Sequence, residues 1–500
     1  MQAIFKNIKK SNFGDIRAFF LDNLSIRQTV FKNTFWIALS EGIGKTLRAF
    51  LIIYIAKFLG ALEYGKFTFA LAFVSLFVAL FDFGLSNIIT RELSKDKTKE
   101  KEFSAILSLK ILLGIGSICL IFIFSFFITS DSEIQKIIWI LAFFIFISQL
   151  PEIFYAFLRA RQKMQYESWA NIFQVLLIVG FGFFVLFNFP SVKNISYSYL
   201  FASLVALIPF LLFFHFKILN LGLSFDVNIW KNFLSISWPL ALISIMGMLY
   251  SYIDSVMMGS WNLMAETGWY NAALKIINVV LLPQAIICLV FYPIISKFVN
   301  RSKEMVQKVW DYQLKALFFL VVPIVVGGIT LSFKIIEFVY DSSFIPSVLA
   351  LQILLIMSGI AFFCGAFSQI LIAFNQQKKV FWATFAGGTV NIILNFILIP
   401  RYSLYGAAVT TVITYFLVLF IYFIFTIKLT SVKPFNWRTF FMIVKTVFAS
   451  VLMYYVISIP RIYNYNILYI VFMGFLVYLF SFLVLEFIHK SVFNKLLNNV

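Results

Sequence analysis

The chain has 500 residues, 62% of them hydrophobic and only 12% charged, with a formal net charge of +19. Soluble domains carry about 25% charged residues, and no stretch here is both polar and long enough to fold apart, so composition excludes a globular enzyme on an anchor. The positive charge lies between apolar segments, where it sets topology, and this argues against nucleic acid as a partner.

Residues 1–32 carry Asp15, Asp22 and six Lys/Arg without an apolar core. They read as a cytoplasmic segment with an interfacial helix through Ile16–Leu24, not as a cleavable signal. The first apolar segment, 33–58, is long enough as a helix to cross a bilayer. Glu41, Lys45 and Arg48 fall at its centre, spaced by four and three, so they share one face within roughly 60° of arc. A charge at mid-bilayer costs about 3 kcal/mol on the insertion scale. Glu41 offsets Lys45, which leaves Arg48 without a local partner. The face is therefore expected to line a polar cavity with excess positive charge, a path for something anionic.

Further spans follow at 66–90, 105–128, 134–158, 168–189 and 196–219, making a first six-helix bundle over 33–219. Asp82 lies toward the cytoplasmic end of the second span, either paired with a base such as Arg91 or as a lumen-facing carboxylate. Glu152 follows Pro151 in the fourth and reads as a solvated gate residue. A linker over 220–233 leads to spans 234–258, 268–296, 313–334, 346–374, 380–400 and 405–427, a second bundle over 234–427. Asp254 and Lys275 lie in the outer parts of its first two spans, as a structural salt bridge or as a pair that breaks when one side closes. Tyr250, Tyr252, Trp269 and Tyr270 are candidates for stacking on sugars. Two additional spans, 440–459 and 466–488, occupy 428–488, and 489–500 is a cytoplasmic tail. The expected fold is thus an all-α polytopic membrane protein of about fourteen transmembrane helices.

Lys and Arg check the count. Loops after even-numbered spans are rich in base (Arg91, Lys95, Lys97, Lys99, Lys101; then Arg159, Arg161, Lys163), whereas those after odd-numbered spans hold about one each. This places both termini in the cytoplasm. An internal repeat agrees: Glu63-x-Gly65-x-Phe67-x-x-Ala70 opens the second span and Glu266-x-Gly268-x-Tyr270-x-x-Ala273 the eighth. A six-span period implies two homologous bundles with a substrate site between them. The motif glycines read as residues of a tight outer turn. Cys119, Cys288 and Cys364 lie inside spans, and His215 and His489 have no ligand cluster around them. No disulfide framework, metal site or cofactor is expected.

The stretches EGIGKTLR (41–48), LGALEYGKF (59–67), DFGLSNIITRE (82–92), WPLAL (238–242), YIDSVMMG (252–259), ETGWYNAA (266–273) and NIILNFILIPRYSLYGAAVTT (391–411), in this order and spacing, resemble Wzx-type polysaccharide flippases. These belong to a superfamily with multidrug/cation exporters and the lipid II flippase. The resemblance implies two six-helix bundles around a cavity that alternates between the two sides of the membrane. It also implies transfer of a polyprenyl-pyrophosphate-linked oligosaccharide, such as an O-antigen or lipopolysaccharide precursor, to the outer leaflet of the cell inner membrane. The last two spans would shelter the lipid tail, and polysaccharide polymerase and chain-length proteins would be partners. With it, Lys45 and Arg48 become the expected pyrophosphate ligands. Glu41, Asp82, Glu152, Asp254 and Lys275 become the cavity carboxylates and their partners.

The first rival is a drug or cation antiporter of the same superfamily, for which an acidic cavity is expected. A membrane glycosyltransferase or polymerase is disfavoured because no loop is long enough to carry extracytoplasmic catalytic acids. A non-transporting scaffold of an assembly complex stays open.

Overall fold

The computed structural model describes residues 22–498, and every regular element among them is helical. Most of the expected interfacial helix, and residues 1–21 of the expected cytoplasmic segment, lie outside the described residues. Helix α1 (Ile26–Leu76) begins where Ser25 Oγ accepts the Gln28 N–H at 3.3 Å, satisfying a donor that the first turn would leave orphaned. It is two helices meeting at Gly60, whose φ of 75° and ψ of 173° are open to glycine alone without steric cost.

There follow α2 (Val78–Asp82), α3 (Leu85–Lys95), α4 (Phe103–Ile128), α5 (Ser132–Gln149), α6 (Pro151–Ala160), α7 (Met164–Asn188), α8 (Val192–Lys217) and α9 (Val227–Ser260). Then come α10 (Met264–Val280), α11 (Leu282–Phe298), α12 (Lys303–Val339), α13 (Ser347–Ala373), α14 (Gln377–Leu429), α15 (Trp437–Ile457), the short α16 (Pro460–Tyr463) and α17 (Ile467–Asn498). Twelve stretches among the described residues are long and apolar enough to cross a membrane. The expected spans distribute over them, with two inside Gln28–Lys95 and two inside Gln377–Leu429. The latter pair meets at Ser403, φ 52°, shortly after Pro400.

Several expected single spans are broken helices. Span 66–90 breaks directly after Asp82, where Phe83 and Gly84 are both left-handed with φ of 48° and 74°. A Cβ on Gly84 would lie 2.8 Å from the Leu240 Cβ and 3.1 Å from the Ser237 carbonyl. The break therefore lets the backbone lie against α9. Span 134–158 is α5 and α6 in series, with Pro151 at the first turn of α6, where its missing N–H costs nothing. Span 268–296 falls on α10 and α11.

Contacts divide the chain into two compact units: Met1–Leu59 with Lys66–Val256, and Gly60–Gly65 with Met257–Val500. The division falls inside α9 and not in the 220–233 linker, because the start of α9 belongs to the first core. Phe233, 2% exposed, joins Phe103, Phe154, Phe157, Phe210 and Phe214 there. The second unit is centred on Trp310, Leu314, Phe367 and Tyr422. A satellite cluster of Leu331, Met453, Ile457, Ile470 and Tyr478 seats α15 and α17 against α12. Tyr478 Oη donates to the Phe319 carbonyl at 2.8 Å.

Residues Gly60–Gly65, which include the first three positions of the first repeat motif, belong to the second unit because the motif glycines meet. A Cβ on Gly65 would overlap the Met264 carbonyl, and one on Gly268 would overlap the Ala61 carbonyl. Each would also lie 3.1 Å from the other glycine's nitrogen. Neither glycine has a positive φ, a conformation that falls to Gly60 instead. The expectation of a tight turn at Gly65 and Gly268 is thus corrected. Both are glycine so that two backbones can approach, which inside a membrane is how helices gain dispersion and Cα–H···O contact.

Candidate functional site

The central charges of α1 form a short exposed array. Lys45 Nζ lies 3.0 Å from Glu41 Oε2, with the two side chains 65% and 47% exposed. Charged groups this open on a membrane helix must face a polar space, since lipid would not solvate them. Arg48 Nε donates to the carbonyl of Gly44 at 3.2 Å, one turn back on its own helix. A Cβ at Gly44 would come 3.1 Å from Arg48 Nη2 and 3.6 Å from Val175, so glycine there gives the guanidinium room. Its field reaches the buried Tyr199 of α8. Among the described residues no carboxylate pairs with Arg48, and its Nη groups remain available as donors.

Asp82 pairs with Lys110 of α4, not with Arg91. Asp82 Oδ1 lies 2.5 Å from Lys110 Nζ and accepts from Ser86 Oγ at 2.5 Å, while Arg91 turns to Glu92 at 3.0 Å. The Lys110 side chain is 0% exposed and stands 5.2 Å over the Phe81 ring. A buried ammonium needs a close anion, and Asp82, next to the Phe83–Gly84 break, is aimed to supply it.

Glu152 is not simply solvated at a mouth. Its Oε2 lies 3.5 Å from Arg159 Nη2, and the same guanidinium holds Glu167 of α7 more tightly, with Nη2 2.5 Å from Oε1 and Nε 3.0 Å from Oε2. Glu167 lies in the field of Glu41, and Glu152 in the fields of Lys110 and Asp82. The acids Glu41, Asp82, Glu152 and Glu167 therefore interleave with the bases Lys45, Arg48, Lys110 and Arg159 in the first unit. The excess of positive charge expected from α1 alone is local to Arg48, since Arg159 serves two carboxylates. Lys110 and Glu167 were not singled out from the sequence, and Arg159 was read there only as a loop base. Lys110 was findable as a lone charge inside an apolar span, whereas the Arg159–Glu167 contact forms across a turn between helices and left no periodic signal.

Asp254, 9% exposed, lies on α9 within the first unit. Lys275 lies half-buried on α10 within the second. Of the aromatic candidates, Tyr270 is withdrawn as a sugar platform: it is 0% exposed and its Oη meets Thr411 Oγ1 at 3.3 Å. Trp269 Nε1 donates to the Ser343 carbonyl at 2.9 Å. Tyr250 and Tyr252 are half-buried.

Among the described residues the second unit holds mainly neutral polar groups, an ion pair between Lys445 of α15 and Glu486 of α17 at 2.6 Å, and an apolar cavity. Gln313 Nε2 donates to Gln369 Oε1 at 2.7 Å, and these side chains are 0% and 8% exposed. A cavity of about 400 Å³ opens between α12, α13, α15 and α17, lined by Phe319, Gly328, Leu331, Met453, Ile470 and Tyr478 among others. Its walls are almost wholly apolar, which suits a hydrocarbon chain and no charged group.

Residues 30–299 match the family described as "Polysaccharide biosynthesis protein". The chain belongs to that family. Among curated relatives, a "Probable low-salt glycan biosynthesis flippase Agl15" of Haloferax volcanii is 23% identical over 74% of this chain and 78% of its own length. The "Capsular polysaccharide biosynthesis protein CapF" of Staphylococcus aureus is 23% identical over 75% of this chain and 94% of its own. Among solved structures, the lipid II flippase MurJ in an inward closed conformation superposes with a TM-score of 0.74. It shares 18% identity, over 91% of this chain and 99% of that one. An inward-facing multidrug MATE transporter superposes with a TM-score of 0.63 at 14% identity, over 77% and 94%. At these identities the structural likeness establishes the fold, a polytopic helical membrane protein of the MurJ/MATE type.

Proposed function

We propose that this protein is a flippase that carries a polyprenyl-pyrophosphate-linked oligosaccharide from the cytoplasmic to the outer leaflet for cell-surface polysaccharide assembly. It performs no covalent chemistry. Membership of the polysaccharide biosynthesis family and the flippase named among its relatives support this reading. The observation that carries the substrate class is Lys45 and Arg48 on a membrane helix, Lys45 exposed and Arg48 half-buried, with the Arg48 guanidinium free of any carboxylate among the described residues. A guanidinium presents a planar donor fork matched to phosphate oxygens, and an ammonium adds a compact charge. The prenyl chain stays in hydrocarbon, and the apolar cavity beside α15 and α17 supports the idea that these helices shelter it.

In this reading the protein sits in the inner membrane with both termini cytoplasmic, beside polymerase and chain-length proteins. Asp82, Glu152, Asp254 and Lys275 carry charge that changes partner as access alternates. The cation-antiporter reading is disfavoured because Glu41, Asp82, Glu152 and Glu167 each have a base beside them. The test is the appearance of lipid-linked oligosaccharide, or of its polymer, on the outer face of cells. Lys45→Gln with Arg48→Gln should abolish it at normal protein abundance, because removing intramembrane charge lowers the cost of insertion. Undiminished export by that variant would overturn the assignment.

A further inference from the structure

Glu41 is oddly placed. It puts a carboxylate at the middle of a membrane helix, beside the two bases meant for an anion. A structural role explains it poorly, because the Lys45–Glu41 pair is half exposed or more on both sides and exposed pairs one turn apart stabilise little. Lys45 would moreover be better disposed toward a phosphate without it. Two observations bear on its role. Glu41 Oε2 lies 3.0 Å from the Lys45 ammonium, a distance at which a phosphate oxygen would also bind it. Glu167 lies in the field of Glu41 and is itself fixed by Nε and Nη2 of Arg159.

We propose that Glu41 is a resident anion which the substrate's pyrophosphate displaces from Lys45, and which drives the pyrophosphate off again. The inference rests on the flippase reading above. In the empty state Glu41 neutralises Lys45, so the site holds one uncompensated cation, Arg48. A linked pyrophosphate brings one negative charge on each phosphate. When it takes Lys45 and Arg48, Glu41 loses its counter-ion and finds no replacement on the Glu167 side, because the Arg159 guanidinium there is already engaged by Glu167 and Glu152. The loaded site is then one negative charge in excess. Occupancy is weakened and release is quickened, as a transporter that must let go of its cargo requires. A site with Lys45 and Arg48 alone would bind more tightly and turn over more slowly.

The experiment measures binding of farnesyl diphosphate to the purified full-length protein in detergent, and initial flipping rates in vesicles over a range of substrate concentration. Glu41→Gln keeps the side chain's shape and removes its charge. It should tighten binding by about threefold or more, slow dissociation, and lower both the half-saturating concentration and the maximal rate. Glu41→Asp, which keeps the charge but shortens its reach to Lys45, should fall between Glu41→Gln and the wild type. Unchanged or weaker binding by Glu41→Gln, while the Lys45→Gln, Arg48→Gln variant loses binding, overturns the resident anion and leaves the flippase site intact. Wild-type binding by the Lys45→Gln, Arg48→Gln variant overturns the site itself and the inference with it.

Discussion

The two units of this protein solve the same problem in different ways. Each must place polar groups inside a membrane. The first does so with ions: Lys110 is fully buried against Asp82, and Arg159 binds Glu152 and Glu167. The second relies mainly on amides and hydroxyls, among them Gln313 on Gln369, Tyr270 on Thr411 and Tyr340 Oη on the Ala272 carbonyl at 3.1 Å, with an ion pair only between α15 and α17 among the described residues, where Lys445 Nζ lies 2.6 Å from Glu486 Oε2. An ionic interior responds strongly to an incoming charge, whereas a neutral one is nearly indifferent to it. In the proposed reading, recognition of an anionic headgroup therefore falls to the first unit. The apolar cavity of the second suits the hydrocarbon end of the same molecule.

The largest expected effect comes from unbalancing the ionic unit. Lys110→Leu strands Asp82 beside a left-handed break and should cost about 3–5 kcal/mol, read as loss of folded protein and a lowered melting temperature in detergent. Adding Asp82→Leu should restore most of that stability, since an apolar pair of similar volume can replace a buried ion pair. If the double variant melts as low as the single one, the two residues are not a pair.

In the second unit the sharpest point is not polar at all. Gly268→Val would drive a side chain into the Ala61 carbonyl, a backbone atom held on its own helix. This should cost about 3 kcal/mol, and the same substitution at the half-buried Gly388, whose Cβ would meet nothing within 4 Å, should cost far less. Equal losses at both positions would show that the glycine-to-glycine approach contributes nothing.

The smallest effect is expected from the neutral cluster. Gln313→Leu leaves Gln369 Oε1 without the donor it has at 2.7 Å and should cost about 1–3 kcal/mol, with flipping little changed where protein is present. A loss of transport as deep as that of the charge variants would erase the contrast between the units.

Much of this was legible in the sequence, for physical reasons. Apolar runs of bilayer length report spans directly, and the Glu41–Lys45 pair follows from helical spacing alone. The partner of Asp82 was not legible, because Lys110 comes from another helix and nothing local favours it over Arg91. The breaks at Phe83–Gly84 and at Leu150–Pro151 were hidden inside runs that stay apolar throughout. The repeat was visible, but its glycines were read as a turn. Only the fold shows that Gly65 and Gly268 face one another. Tyr270 illustrates the opposite error, an aromatic near a motif that turns out to be fully buried core.

The central claim is that the Glu41, Lys45 and Arg48 face receives the pyrophosphate. Its most direct test is flipping of a lipid-linked oligosaccharide by purified protein in vesicles, comparing the wild type with the Glu41→Gln, Lys45→Gln, Arg48→Gln triple variant. That variant removes both members of the Glu41–Lys45 pair, the only ion pair on the face among the described residues. The account predicts normal incorporation and melting temperature with flipping reduced to the protein-free background, and partial activity for Arg48→Lys, which keeps the charge but loses the fork. Flipping by the triple variant at the wild-type rate would contradict it.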